Sequence, residues 1–242
     1  MKTLFIITGA SKGIGKGLAE KALETEQHEV IGLSRSHSIA HPNYKGIEID
    51  LSNIEEVIKL NKQLISSPDT YERIVLINNA GTLGEVEHVG KFSDESIVQL
   101  MNLNVSAALI LMNGFMRQLK DYQGQKVIFN ISSGAGKRAV DGWSGYCASK
   151  AALDMATKVA YEENELDKNH FEIRAIAPGV VDTGMQDQIR ASEKEAFSGV
   201  EKFQQLKANN ELSDEQAVAE KYFQILEHLD QYPEAILDVR HI

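Results

Sequence analysis

Tyr146 and Lys150 lie four residues apart in the stretch Tyr146-Cys147-Ala148-Ser149-Lys150. On a helix that spacing stacks the phenol and the ammonium on one face, about 5–6 Å apart at Cβ. A cationic neighbour stabilises phenolate, so the tyrosine pKa is expected to fall from about 10 toward the working pH. A phenol tuned in this way can hand a proton to a carbonyl oxygen and recover it afterwards. The hydroxyl of Ser133, at what reads as a strand end, can hold the same oxygen. Tyr-x-x-x-Lys alone is weak evidence, because such pairs occur on many amphipathic surface helices. The pair gains meaning from the elements that position it.

The chain is 242 residues long, which suits one α/β domain. Its formal charge of −10 and pI near 5.2 argue against a nucleic-acid surface and against binding to an anionic membrane. The single cysteine, Cys147, excludes an internal disulfide and suits a reducing compartment. The apolar run after Met1-Lys2 stops at Thr8-Gly9, too short for a signal sequence, and no run of 18 apolar residues is evident. A cytoplasmic location is expected, and no metal site.

Leu4–Thr8 is a continuous apolar, β-branched run, the mark of a strand buried on both faces. Gly9-Ala10-Ser11-Lys12-Gly13-Ile14-Gly15 follows, and then a helical pattern. Strand, glycine turn and helix form the unit that seats a pyrophosphate on a helix N-terminus. Gly9 allows the tight turn, Gly13 lets backbone approach phosphate, and Gly15 lets helix and strand pack. A second strand, Glu29–Leu33, ends in Leu33-Ser34-Arg35-Ser36 without the carboxylate that usually accepts from the ribose hydroxyls of NAD. Arg35 and Lys12 suit a 2′-phosphate instead, so NADP(H) is the expected cofactor. Otherwise Arg35 is a solvated loop residue.

Ile47–Leu51 reads as a third strand. At its end, Asp50, with Leu51 beside it, either accepts from the adenine amino group or caps the next helix. Arg73–Ile77 runs into Asn78-Asn79-Ala80-Gly81, a turn that suits passage under a flat ring. Ser93–Leu100 and Met101–Tyr122 read as helices, and Asn104 inside the second needs a partner: a water, or a neighbour that satisfies it as a core amide. Lys126–Ile131 delivers Ser132 and Ser133 at its end. A glycine-rich loop with the sole tryptophan, Trp143, a candidate substrate contact, leads to the helix of Tyr146, which Ser144 can cap. Phe171–Ala177 is followed by Pro178-Gly179-Val180-Val181-Asp182-Thr183. Residues 184–213 read as a mobile substrate lid, from which Met185, Ile189 and Phe197 can face a ligand. Ser213 then caps a helix over Asp214–Leu229, and Ala235–Val239 is a last strand.

Four motifs in this order, Thr8-Gly9-x-x-x-Gly13-Ile14-Gly15, Asn78-Asn79-Ala80-Gly81, Ser133 with Tyr146-x-x-x-Lys150, and Pro178-Gly179, make the chain resemble the short-chain dehydrogenase/reductase family over almost its whole length. That pattern favours Ser133 over Ser132. The resemblance implies an α/β Rossmann-type fold, a doubly wound parallel sheet of order 3-2-1-4-5-6-7 in a single domain. It implies an NADP(H)-dependent carbonyl reductase with Tyr146 as the acid. Lys150 would lower the pKa of Tyr146 and bind the nicotinamide ribose, Ser133 would orient the carbonyl, and Asn104 would hold a relay water. Thr183 would meet the carboxamide, and Pro178, Gly179 and Val181 would line the nicotinamide. A homodimer or homotetramer is implied as well.

Within the family, Gly142–Cys147, Pro178–Gln186 and the tail Leu237-Asp238-Val239 resemble the bacterial benzil reductases and the related sepiapterin reductases. This implies a small-molecule dicarbonyl or ketone substrate, one carbonyl of a 1,2-diketone being reduced to an α-hydroxyketone. A pterin side-chain diketone is the alternative, with Asp238 holding the ring unless it only caps a strand end. Two rival readings are a non-catalytic NADP(H) sensor, disfavoured because Asn104, Ser133, Tyr146 and Lys150 are all present, and an extended-branch nucleotide-sugar epimerase, disfavoured by the glycine spacing and the short C-terminal portion.

Overall fold

The computed structural model describes residues 1–242. Seven strands, β1 (Thr3–Thr8), β2 (His28–Ser34), β3 (Tyr44–Glu48), β4 (Arg73–Asn78), β5 (Gln125–Ile131), β6 (Phe171–Ala177) and β7 (Ile236–Asp238), form one sheet in the order β3-β2-β1-β4-β5-β6-β7. Every pair is parallel. The continuous apolar runs divide by the two-residue period of a strand. Phe5, Ile7, Val75, Ile77, Val127 and Phe129 point to one face and pack on helices α1 (Gly13–Leu23) and α8 (Glu215–Glu227). Leu4, Ile6, Ile74, Leu76 and Ile128 point to the other, against α2 (Ile54–Asn61) and α4 (Ala107–Gln118). Each such side chain contributes about 1.5–3 kcal/mol by leaving water. The strand C-termini of β1, β4 and β5 thus end together at the reversal of strand order, where ligands of such sheets bind.

Helix α3 (Asp94–Met101) passes into α4 through a π-helical turn at Asn102–Ser106. The two helices expected there are therefore one run, Asp94–Gln118, of 25 residues. It is long and apolar enough by composition to cross a bilayer, contrary to the sequence reading, but in this fold Ala107, Leu111, Met112 and Phe115 are buried against the sheet. β3 lies three residues earlier than expected. Its register runs from Val30 opposite Tyr44 to Ser34 opposite Glu48, and Ile49 and Leu51 bury themselves in the following turn. Two expected caps also move. Ser144 is the first residue of α5 (Ser144–Asp167) with Trp143 at the cap position, and Asp214, not Ser213, accepts from Ala217 N to cap α8.

Between β6 and α8, residues 184–213 leave and return through a closed neck. Asp182 N donates to Ser213 O at 2.9 Å and Ser213 N to Val180 O at 3.1 Å. The excursion carries helices α6 (Gly184–Arg190) and α7 (Val200–Ala208), and Asp182 ion-pairs with Arg190 from one and Lys207 from the other.

Candidate active site

A cleft of about 840 Å³ opens along the C-terminal ends of the strands. Its nucleotide end is built from backbone. Gly9 and Gly13 have φ of +68° and +61°, the left-handed region that only glycine enters without strain. A Cβ on Gly15 would lie 2.3 Å from Asn79 Nδ2 and 2.4 Å from Gly9 O, so Gly15 is a packing residue and does not line the cleft. The Thr8 hydroxyl accepts from the main-chain N–H of both Asn79 and Ala80 at 2.8 Å, and Asn79 Nδ2 donates to Thr8 O at 2.8 Å. These bonds lock β4 to β1 and set Asn79, Ala80 and Gly81 along the wall.

This end fits a nicotinamide nucleotide. No side chain caps α1, and its opening residues Gly13 and Ile14 face the cleft beside Ser11 and Lys12. The unpartnered N–H groups of that first turn suit a pyrophosphate. Lys12 and Arg35 are exposed and line the cleft, and no carboxylate of the chain ion-pairs with either. Asp50 and Leu51 line it too, one turn beyond β3. Asp50 does not cap α2, since Asn53 does; it accepts from Ser52 N and Oγ at 2.9 and 2.8 Å, which holds its carboxyl below the usual range. Pro178, Gly179, Val181 and Thr183 complete the wall, and the Thr183 hydroxyl makes no cap bond to α6. Glu215 on α8, unremarked in the sequence, also faces the cleft near Gly13, and burial raises its pKa.

The expected chemical group is assembled where β5 meets α5. Tyr146 and Lys150 are both buried on the inner face of α5, with Lys150 Nζ 5.8 Å from the phenol ring centroid. Lys150 Nζ donates to Ile131 O at 2.7 Å. Burial lowers the Lys150 pKa to about 8, against an upward pull from Asp154. The Tyr146 pKa, however, is raised and not lowered. Burial of the phenol dominates, and Ser133, near it but short of a formed hydrogen bond, pulls it only partly back. The i,i+4 spacing does place the two groups together, but desolvation of the enclosed phenol sets the direction of the shift, and Lys150 is not among the groups that move it. The Tyr146 phenol is therefore held protonated.

Asn104 does not line the cleft. It sits in the π turn with its side chain spent: Oδ1 accepts from Thr82 N at 2.8 Å, and Nδ2 donates to Thr82 O at 2.8 Å and Ser149 Oγ at 3.1 Å. The satisfied-amide alternative describes this side chain. A π turn is a frequent companion of functional sites, and no residue type in the sequence announces it.

The substrate end is aromatic. Trp143 lies edge-on to Tyr146 at 6.0 Å and packs on Phe197 and Phe203 at 5.0 and 5.6 Å. Trp143, Met185, Ile189 and Phe203 face the cleft, but Phe197, expected to do so, is 1% exposed and forms the cluster's interior. Phe203, three residues after the buried Val200 on α7, was not singled out in the sequence. Asp238 lines the cleft but is engaged. It accepts from Arg240 N at 3.0 Å, closing the last turn, and pairs with the Arg240 guanidinium through Nε at 2.9 Å and Nη2 at 2.5 Å. Its strand-end role is thus present, and Arg240 joins the wall unannounced by any motif.

The family model described as short chain dehydrogenase matches residues 3–194. The chain is 39% identical to a benzil reductase ((S)-benzoin forming) of Bacillus subtilis, covering 93% of both chains, and 36% identical to one from Bacillus cereus, covering 95% of both. It is 30% identical to the sepiapterin reductase of Bos taurus over 96% of both. Among solved structures, a short-chain dehydrogenase/reductase from Saccharomyces cerevisiae superposes with a TM-score of 0.83 at 24% identity, covering 99% of this chain and 96% of that one. A 4-hydroxyisoleucine dehydrogenase complexed with NADH gives 0.80 at 24%, covering 98% and 96%. Motifs, sheet order, cleft and relatives agree, and the chain belongs to the short-chain dehydrogenase family, as an oxidoreductase acting on carbonyl or CH–OH groups of small molecules.

Proposed function

We propose that this chain is an NADPH-dependent reductase of vicinal dicarbonyls, converting one carbonyl of a benzil-like 1,2-diketone to an α-hydroxyketone. The observation that carries the reading is the similarity to benzil reductases along nearly the full chain, which the aromatic wall beside Tyr146 supports. Flat aryl groups on the substrate would stack there, where offset or edge-on ring contacts are favourable. Lys12 and Arg35, unpaired at the nucleotide end, support a 2′-phosphate over a free ribose. A nicotinamide dinucleotide held by the glycine turn, Lys12 and Arg35 would supply the hydride. Ser133 orients the carbonyl oxygen, Tyr146 gives it a proton, and the Lys150 ammonium stabilises the phenolate left behind. With its side chain taken up by Thr82 and Ser149, Asn104 has only main-chain groups left to offer a relay water. Residues 184–213 act as the lid. Exposed Ile97 and Val98 on α3, with Met155, Val159 and Leu166 on α5, support a homodimer or homotetramer.

A sepiapterin-like reading has a specific observation in its favour, since Asp238 does reach the cleft. A pterin ring would have to displace Arg240 from it. Oxidation of NADPH and of NADH followed at 340 nm with benzil, 1-phenyl-1,2-propanedione and sepiapterin tests these readings. Diketone turnover with NADPH is expected. Preference for sepiapterin would replace the substrate, and preference for NADH would remove the roles of Lys12 and Arg35.

A further inference from the structure

Asp154 is a buried carboxylate that the acid pair does not require. It follows Lys150 by one helical turn on the inner face of α5 and is 7% exposed. Ser132, from the end of β5, donates its hydroxyl to Asp154 Oδ1, and Ser132 N is itself anchored on β6 through Ile176 O at 2.9 Å. Three consecutive residues of the β5 end therefore meet three successive turns of α5. Ser133 lies beside Tyr146, the Ile131 carbonyl accepts from Lys150, and Ser132 bonds Asp154. We propose that Asp154 is a positioning residue that keeps Lys150 an ammonium and, through Ser132, fixes the strand end that presents Ser133.

The physical case is that a buried carboxylate is costly unless its charge is used. No cation lies within ion-pairing distance of Asp154. The charges that reach it are Lys137, from the turn after β5, with Lys150 and Lys158 on α5 itself. Those facing Lys150 are fewer: burial drives its ammonium toward the amine, and Asp154 is the one charge opposing this. Tyr146 is kept neutral by burial and offers Lys150 no anion. An ammonium is needed when phenolate forms, so the anion one turn away holds Lys150 ready for that moment. Asp154 touches neither substrate nor reacting atoms; it acts through Lys150 and Ser132.

This inference rests on Tyr146 and Lys150 being the acid pair, and two readouts separate the claims. The first is NMR titration of ¹³C-labelled lysine in the free protein, with the Lys150 signal identified by its loss in Lys150→Met. The second is the alkaline limb of kcat/KM with a diketone and NADPH. Asp154→Asn removes the charge and can still accept from Ser132. It is expected to move both the Lys150 titration and the alkaline limb down by roughly one pH unit. Ser132→Ala keeps the carboxyl but removes the hydroxyl that holds its pKa down against burial, so it is expected to lower kcat and to move the limb in the same direction as Asp154→Asn by a smaller amount. If Asp154→Asn does not fold, Asp154→Leu, an apolar replacement that buried charges often tolerate, should give the same shift. Lys150 titrating at the wild-type pH in the folded variant overturns the inference. A Lys150→Met enzyme with full turnover overturns the acid pair, while the titration still decides whether Asp154 acts on Lys150.

Discussion

The nucleotide wall of the cleft is made of backbone, whereas the substrate wall is made of large side chains. At the first, the Thr8 hydroxyl and the Asn79 amide bond the main chain of the facing strand end, and Gly9 and Gly15 pack so closely there that no room is left for one more carbon. At the second, Phe197 and Phe203 from an excursion joined to the sheet by a narrow neck cluster on Trp143. Backbone geometry admits few sequences, while packed aromatics can be exchanged for others of similar volume. The first arrangement suits a ligand shared by a family, the second a ligand that differs among its members.

The comparison breaks first at Gly15→Ala. The added methyl meets Asn79 Nδ2 and Gly9 O at 2.3 and 2.4 Å, neither of which can yield without opening the turn. A loss of about 3 kcal/mol or more is expected in thermal or urea unfolding, with loss of NADPH binding. A variant with wild-type stability and affinity would show that the wall is not rigid. At the rim of the same wall, Arg35→Ala should weaken NADPH about 10- to 100-fold and leave NADH unchanged, the usual range for one charge-assisted contact. Equal losses for both cofactors in a binding titration would place Arg35 elsewhere. On the opposite wall, Phe197→Ala empties the middle of the cluster. Because the excursion can loosen locally, KM for diketones should rise about tenfold while NADPH affinity holds. A matching loss of NADPH affinity would mean that the two walls are coupled.

The smallest effect is one of pH. Lys150 has a pKa of about 8 and Tyr146 one above its ordinary value, so the ammonium is lost first as pH rises. Reduction needs the phenol protonated and gains from the ammonium. The kcat/KM profile should therefore be flat below about 8 and fall above it. A limb above pH 10 would instead identify Tyr146 as the controlling group.

The contrast between the walls also explains what the sequence disclosed. Glycines at 9 and 13 are chosen by conformation and Gly15 by close packing, so residue type and spacing betray them. Ser133, Tyr146 and Lys150 were legible because a strand end and a helix face fix their separation. Asn104 was visible as an awkward amide, yet its three bonds come from Thr82 and Ser149, which only the fold brings near. Arg240 reaches the cleft from a short tail that no local period marks, whereas Phe203 shares the spacing of Val200 and Leu206, which indicates a helix face but not that it meets the cleft. The register of β3 was misjudged because Ile49 and Leu51 are apolar for the turn, not for the strand. The direction of the Tyr146 shift was misjudged for a related reason: spacing reveals a neighbour but not how far both groups are withdrawn from water.

The central claim is that Tyr146 is the proton donor of a carbonyl reductase. Its most direct test is Tyr146→Phe, which keeps the ring against Trp143 and removes only the hydroxyl. With saturating NADPH and benzil, kcat is expected to fall about 10²- to 10⁴-fold, with Tm and NADPH affinity held at wild-type values. Undiminished turnover in that variant would contradict the account.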